Sequence, residues 1–304
     1  MNANRARHRF ALHAIGLLGL GAGLRRALAT AAERDPAVSP GGARWLGAWA
    51  LLCLAAAVAL WVSGGYHSGF LTLNRLGSTW PSGLWQWLTV LGDERVSLTL
   101  ALFLSRRHPR VFWSLICAAL VAIAYARGLK PLIDTARPPA VLPAEAFRLI
   151  GEGHRRHGFP SGHSVTAAVF FGVLAYFAQR IRWRLSFILL AMAAGFSRVA
   201  VGVHWPLDVL AGLAGGAIAA LIGVWLARRS LWGLYDEGVH LAFVVLAAFA
   251  AVGLLFDDGG YPAAAPLLAA LGSLALAWAA LQYLLRPLMF GRSGDRRDGR
   301  TNAG

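Results

Sequence analysis

Between Trp45 and Leu285 the chain passes through eight apolar blocks separated by short polar stretches. Most blocks are close to the ~20 residues an α-helix needs to cross a hydrocarbon layer. No other feature constrains the fold as much. In hydrocarbon every backbone N–H and C=O must find its partner within the protein, so blocks of this length predict helices. They lie at about Trp45–Ser63, Trp85–Ser105, Val111–Leu129, Gly162–Ala178, Arg184–Val201, Pro206–Ala227, Val239–Phe256 and Ala264–Leu285. The second is the weakest, because Asp93, Glu94 and Arg95 interrupt it; these three read as a structural ion pair at its end. With 57% hydrophobic and 14% charged residues, a chain of 304 residues has too little charge to cover a soluble surface. The expected fold class is all-α, a polytopic membrane helix bundle.

Charge then orients the bundle. The net charge of +15 comes almost wholly from arginine, and the arginines sit in tails and in alternate short loops rather than in one patch. That is the distribution of topogenic charge, so nucleic acid is not an expected partner. Seven arginines precede Trp45, and Arg106, Arg107, Arg110, then Arg180, Arg182, Arg184, then Arg228 and Arg229 follow blocks two, four and six. Five more follow block eight. The positive-inside rule therefore predicts both termini in the cytoplasm. The run Phe10–Leu24 with Ala29-Thr30-Ala31 imitates a signal peptide, but Arg25, Arg26, Arg34 and Arg44 would have to follow it across the membrane. Residues 1–44 thus read as an uncleaved cytoplasmic tail or interfacial helix. Cys53 and Cys117 fall within apolar blocks as small hydrophobes, with no disulfide framework. Gly212, Gly215, Gly216 and Gly223 in the sixth block predict close helix packing.

Three stretches carry chemistry-bearing residues: Lys130 to Pro138 (K-x6-R-P), Pro160-Ser161-Gly162-His163 (P-S-G-H) and Ser197 to Asp208 (S-R-x5-H-x3-D). Lys130 is the sole lysine among 29 basic residues, which marks a compact point charge wanted at that place. Ser161 reads as the N-cap of a helix whose free amides favour an anion, and Gly162 admits that anion to the backbone. Pro206 suits a first helical turn, which sets Asp208 near His204. A carboxylate on one imidazole nitrogen fixes the tautomer and leaves the other nitrogen nucleophilic. The inventory fits a phosphoryl group: Lys130, Arg137 and Arg198 for its oxygens, Ser161 and Gly162 at a helix start, His163 and His204 for proton and nucleophilic work. With no cysteine cluster, no H-E-x-x-H and no carboxylate pair, no metal site and no cofactor are expected. Arg148, His154, Arg155, Arg156 and His157 lie in the loop before the second motif, either reading a second anionic group or simply solvated. Asp257 and Asp258 precede a Gly-Gly turn and are assigned no chemistry.

These three motifs, in this order and with unbroken internal spacing, resemble the tripartite signature of the type-2 phosphatidic acid phosphatase (PAP2) superfamily. The resemblance implies a six-helix catalytic core over about residues 45–227. Residues 228–291 would then add two further transmembrane helices, and 292–304 a basic tail. It implies catalysis by His204, His163 and Asp208, and phosphate binding by Lys130, Arg137, Ser161, Gly162 and Arg198. His204 would form a phosphohistidine oriented by Asp208, while His163 serves the leaving group and then water, without a metal. Charge and motifs together put the site on the external or periplasmic face. The Ala- and Arg-rich composition fits a GC-rich bacterial genome, and hence a bacterial inner membrane. The expected substrate is a lipid phosphate, with undecaprenyl diphosphate and phosphatidylglycerol phosphate ahead of phosphatidic acid and lipid A phosphates. Two rivals use the same residues: a lipid phosphotransferase and a non-catalytic lipid-phosphate binding or transport protein. A haloperoxidase would share the pocket but sits poorly with a membrane location. The lipid, the oligomeric state and the role of the last two helices are not legible.

Overall fold

The structure, a computed structural model, describes residues 23–34 and 40–286. The basic runs at Arg5, Arg7 and Arg9 and beyond Arg292 lie outside the described residues. In chain order the helices are α1 (23–34), α2 (Gly42–Gly64), α3 (Phe70–Ser78), α4 (Ser82–Val90), α5 (Glu94–Ser105), α6 (Pro109–Leu132) and α7 (Pro138–Val141). They continue with α8 (Gly162–Phe177), α9 (Ile181–Ala200), α10 (Pro206–Arg229), α11 (Trp232–Tyr235), α12 (Glu237–Gly253) and α13 (Ala265–Ala280). A 3-10 turn precedes α13 and a π turn follows it, making one rod over Pro262–Leu285. The described residues contain no strand, so the all-helical expectation holds.

Five of these elements are long and apolar enough to cross a membrane: α2, α6, α9, α10 and the α13 rod. Helices α8 and α12 are apolar but shorter, at 16 and 17 residues. The second apolar block is not one helix. It breaks at Leu91-Gly92-Asp93 into α4 and α5, because the Asp93 carboxylate accepts from the Arg95 amide at 2.8 Å and caps a new helix there.

Helix α10 is the axis of the bundle, packed against α2, α6, α8 and α9. Its glycines explain how. A Cβ on Gly212 would stand 2.7 Å from the Ser161 carbonyl oxygen, and one on Gly216 would stand 2.5 Å from that of Val165. Only hydrogen at those positions lets α8 and α10 approach backbone to backbone. The outer faces are opposite in character: Leu51, Leu52, Val62, Leu189, Phe249 and Leu274 are exposed, an apolar exterior suited to lipid. Helices α12 and α13 pack on α5 and on each other, and α4 meets the turn that starts the α13 rod.

The bundle has two unlike ends. At one end α6 and α9 finish and α5, α8 and α10 begin. At the other lie Arg110, Arg184 and the basic end of α10. There Arg25 of α1 meets Glu237 of α12 at 2.7 Å, and Arg110 donates to the Ala32 carbonyl at 2.7 Å. Arg184, counted in the sequence as a loop charge, is buried and donates to the carbonyls of Ala178 (2.8 Å) and Pro40 (2.6 Å). It clamps the segment before α2 to the start of α9 as well as carrying charge.

Candidate active site

The three motifs meet at the end where α6 and α9 finish. Their meeting is built from backbone. The Ser161 amide donates to the Asp208 carbonyl (3.1 Å), and the Gly158 amide donates to that of Thr135 (2.9 Å). The Trp205 indole donates to the Ala136 carbonyl at 2.8 Å. Motif three is thereby tied to both of the others before any catalytic side chain is placed.

His204 and Asp208 are 2% and 0% exposed, and His204 Nδ1 lies 3.1 Å from Asp208 Oδ2. Asp208 is itself held: the Trp205 amide donates to Oδ2 at 3.1 Å, and the Tyr66 hydroxyl donates to Oδ1 and contacts Thr135 Oγ1 at 3.1 Å. Burial, and secondarily the Asp208 charge, push the Tyr66 phenol up, so it stays a donor. Burial also holds the His204 imidazole well below the usual histidine range, with Arg137, Arg198 and Lys130 adding to the effect. A neutral imidazole with Nδ1 on a carboxylate leaves Nε2 as the nitrogen able to attack.

Around this pair stand three cations, of which Arg198 and Lys130 keep a donor without a protein partner. Arg198 is 3% exposed; its Nη1 donates to Thr89 Oγ1 (2.6 Å) and the Tyr261 hydroxyl (2.8 Å), while its buried Nε has no acceptor. Lys130, in the last turn of α6, makes no hydrogen bond among the described residues, and its ammonium lies 3.9 Å from where a Cβ on Gly162 would stand. Arg137 donates from Nε to the Arg156 carbonyl (2.9 Å) and from Nη2 to that of His157 (3.3 Å). Burial first, then Arg198, push its guanidinium down to about 10.

Helix α8 starts as expected, with Ser161 fully buried and its Oγ accepting from the Ser164 amide (3.4 Å) and hydroxyl (2.9 Å). That hydroxyl is therefore engaged in the cap, and the first-turn amides of Gly162 and His163 are the groups left for an anion. His163 is half-buried and lies within the electrostatic reach of Arg198, His204, Arg137 and Lys130. Its turn is pressed on the α4–α5 break: a Cβ on Gly92 would stand 2.7 Å from the His163 carbonyl oxygen. Buried polar groups in folded proteins nearly always have partners, so the unpaired Arg198 Nε, together with the Lys130 ammonium, makes this end of the bundle a candidate anion site. No group of three or more His, Cys, Asp or Glu side chains among the described residues is arranged to hold a metal.

All eight residues singled out in the motifs thus gather at one end of the bundle. Four neighbours were not foreseen: Tyr66, Thr89, Gly92 and Tyr261. Asp257 too has a contact that its sequence gave no sign of, accepting from Arg95 Nη1 at 2.9 Å while Arg95 Nη2 pairs with Asp93 at 2.8 Å. Asn74 joins the same end, donating to the carbonyls of Arg148 and Val199 at 3.0 Å each and so fixing the end of α9 against the long loop.

Residues 110–232 match the PAP2 superfamily. A lipid A 1-phosphatase of Rhizobium johnstonii is 37% identical over 146 residues, covering 47% of this chain and 57% of that protein. An undecaprenyl-diphosphatase of Sulfolobus acidocaldarius is 28% identical over 152 residues, covering 49% of this chain and 69% of that protein. The crystal structure of Aquifex aeolicus LpxE aligns with a TM-score of 0.44 at 27% identity, over 51% of this chain and 94% of its own. The chain spans 57% and 60% of the length of two lipid A 1-phosphatases it matches. Tyr66, Thr89, Gly92 and Tyr261 all lie outside the family-matched stretch.

Proposed function

Starting from the PAP2 superfamily domain over residues 110–232, we propose that this protein is a membrane lipid phosphate phosphatase working through a phosphohistidine on His204. The observation that carries the reading is the His204–Asp208 pair facing unpaired cationic donors from Lys130 and Arg198. Relatives named as a lipid A 1-phosphatase and an undecaprenyl-diphosphatase support the reaction class.

In the first step His204 Nε2 attacks phosphorus in line; the P–N bond forms as the bond to the lipid oxygen breaks, and His163 gives that oxygen its proton. Asp208 stabilises the positive charge that appears on the imidazole. In the second step His163 takes a proton from water, whose oxygen attacks phosphorus. The P–N bond breaks, His204 is restored and inorganic phosphate leaves. Lys130, Arg137, Arg198 and the first-turn amides of α8 hold the three equatorial oxygens throughout. These groups supply the positive field from the protein itself, so the reaction is expected to proceed in a chelator. The lipid tail lies along the apolar exterior, with both termini cytoplasmic and the site on the external face, in keeping with where the loop arginines fall.

The test is phosphate release by detergent-purified protein in EDTA from a panel of lipid mono- and diphosphates, beside His204→Ala. Release by wild type and not by the variant is expected. Release that EDTA abolishes, or that survives His204→Ala, would overturn the reading. Release of lipid alcohol only when a second lipid hydroxyl is supplied would make the enzyme a phosphotransferase instead.

A further inference from the structure

We infer that the mouth of this site holds a second phosphate, so that the substrate carries a diphosphate rather than a single phosphate; the inference rests on the phosphatase reading above. A cavity of about 380 Å³ opens at Lys130 and Arg137 and is lined besides by His154, Arg155, Arg156 and His157. Two of those six belong to the single-phosphate site. The other four come from the loop whose purpose the sequence left open.

The loop is not loosely draped there. Arg137 holds it by three bonds: its amide donates to the Arg155 carbonyl (3.0 Å), Nε to that of Arg156 (2.9 Å) and Nη2 to that of His157 (3.3 Å). Asp134 adds a fourth tie, 3.0 Å from His157 Nδ1. The residue thought to grip the reacting phosphate is therefore the one that fixes the backbone of the next cations. The side chains of Arg155, Arg156 and His154 have no ion pair or hydrogen-bond partner among the described residues. His154 already feels the charges of Arg137 and Arg198, with only Glu152 acting the other way.

Lys130 and Arg137, the two cations of the single-phosphate site that line this cavity, already match the charge of one phosphate dianion. Arg155 and Arg156 add two more cations to the same cavity, while Asp134 is paired with His157. Like charges lining one cavity repel one another, and an anion seated among them relieves that repulsion. One cavity shared by both sets of cations calls for two phosphates joined directly, and Arg side chains are the groups best shaped to take the outer one in forked hydrogen bonds.

The experiment compares two lipids with the same tail, one ending in a diphosphate and one in a monophosphate, on wild type and on the Arg155→Gln/Arg156→Gln double variant. The ratio of kcat/KM for diphosphate over monophosphate is expected to fall about 10-fold or more, the scale of losing charge-assisted hydrogen bonds. In parallel, calorimetry with inorganic pyrophosphate and with inorganic phosphate is expected to show wild type preferring pyrophosphate and the variant losing that preference. An unchanged ratio, with the pyrophosphate preference intact or never present, would overturn the subsite. A fall equal for both lipids and seen only in anionic vesicles would assign the arginines to the membrane surface and overturn it too. Failure of wild type to release phosphate from either lipid would sink the phosphatase reading, whereas the pyrophosphate titration would still decide the subsite.

Discussion

In the proposed reaction the nucleophile is an imidazole with one nitrogen already committed to a carboxylate, and most of the residue-scale expectations follow from that. His204→Ala removes the group that receives the phosphoryl and should lower kcat by about 10³-fold or more; His163→Ala should be nearly as severe, since it costs proton transfer in both steps. Initial rates on a soluble-tailed substrate would check both. Burial holds His204 well below its usual value, so in the substrate-free protein it should remain neutral below about pH 6.5, the ordinary histidine value. The folded state then binds fewer protons here than the unfolded chain. Stability tied to this group is complete above about pH 6.5 and declines as pH falls below it. Histidine NMR, with His204→Asn to assign the resonance, should give a midpoint below 6.5 that rises when a phosphate analogue binds; a midpoint at or above 6.5 in the free protein would contradict the account. Seven of the eight motif residues stand out in the sequence because polar side chains are conspicuous in an apolar background, and Gly162 follows from its place after Ser161; their gathering at one end of the bundle is what the structure adds. Tyr66, Thr89 and Tyr261 do not stand out. They reach Asp208 or Arg198 from 142, 109 and 63 positions away, and no local spacing encodes such a contact.

At the scale of elements, helix ends do the positioning. The α8 start offers amides, the last turn of α6 offers Lys130, and the 254–264 turn between α12 and α13 offers Tyr261, which sets the orientation of the Arg198 fork. Tyr261→Phe keeps the ring and removes one hydrogen bond to a charged group, so kcat/KM and affinity for inorganic vanadate should each fall by about 10-fold; an unchanged vanadate affinity would show Arg198 positioned without it. The last helix pair is then a part of the site's frame, a role with no motif to announce it. Gly216→Val would drive a side chain into the Val165 carbonyl, and thermal unfolding in detergent should show a loss of about 1–3 kcal/mol. The positions of seven of the eight apolar blocks were legible within a few residues, because block length and composition define a span. The break in the second was not, since Asp93 had been read as half of an ion pair and it is also a helix cap.

For the whole molecule, the charge pattern and the bundle agree on two unlike ends, with the candidate site at the one away from α1. Cys53 and Cys117 are buried, which gives a quiet background for thiol labelling in intact cells. Arg156→Cys should react with an impermeant reagent from outside, and Ser230→Cys only after permeabilisation; the reverse pattern would invert the orientation. Fold class was the easiest property to read, because a membrane leaves helices almost no alternative. The lipid was the hardest, since its recognition falls to loops and cavities whose shape depends on packing across the entire bundle. In the proposed reaction phosphoryl transfer passes through His204 in two in-line steps. Each in-line displacement inverts phosphorus, so the stereochemical course settles the number of steps without needing the intermediate to accumulate. With a substrate whose phosphorus is made chiral by sulfur and oxygen isotopes, transfer through His204 should give net retention of configuration in the released product. Net inversion would mean direct attack by water and would contradict it.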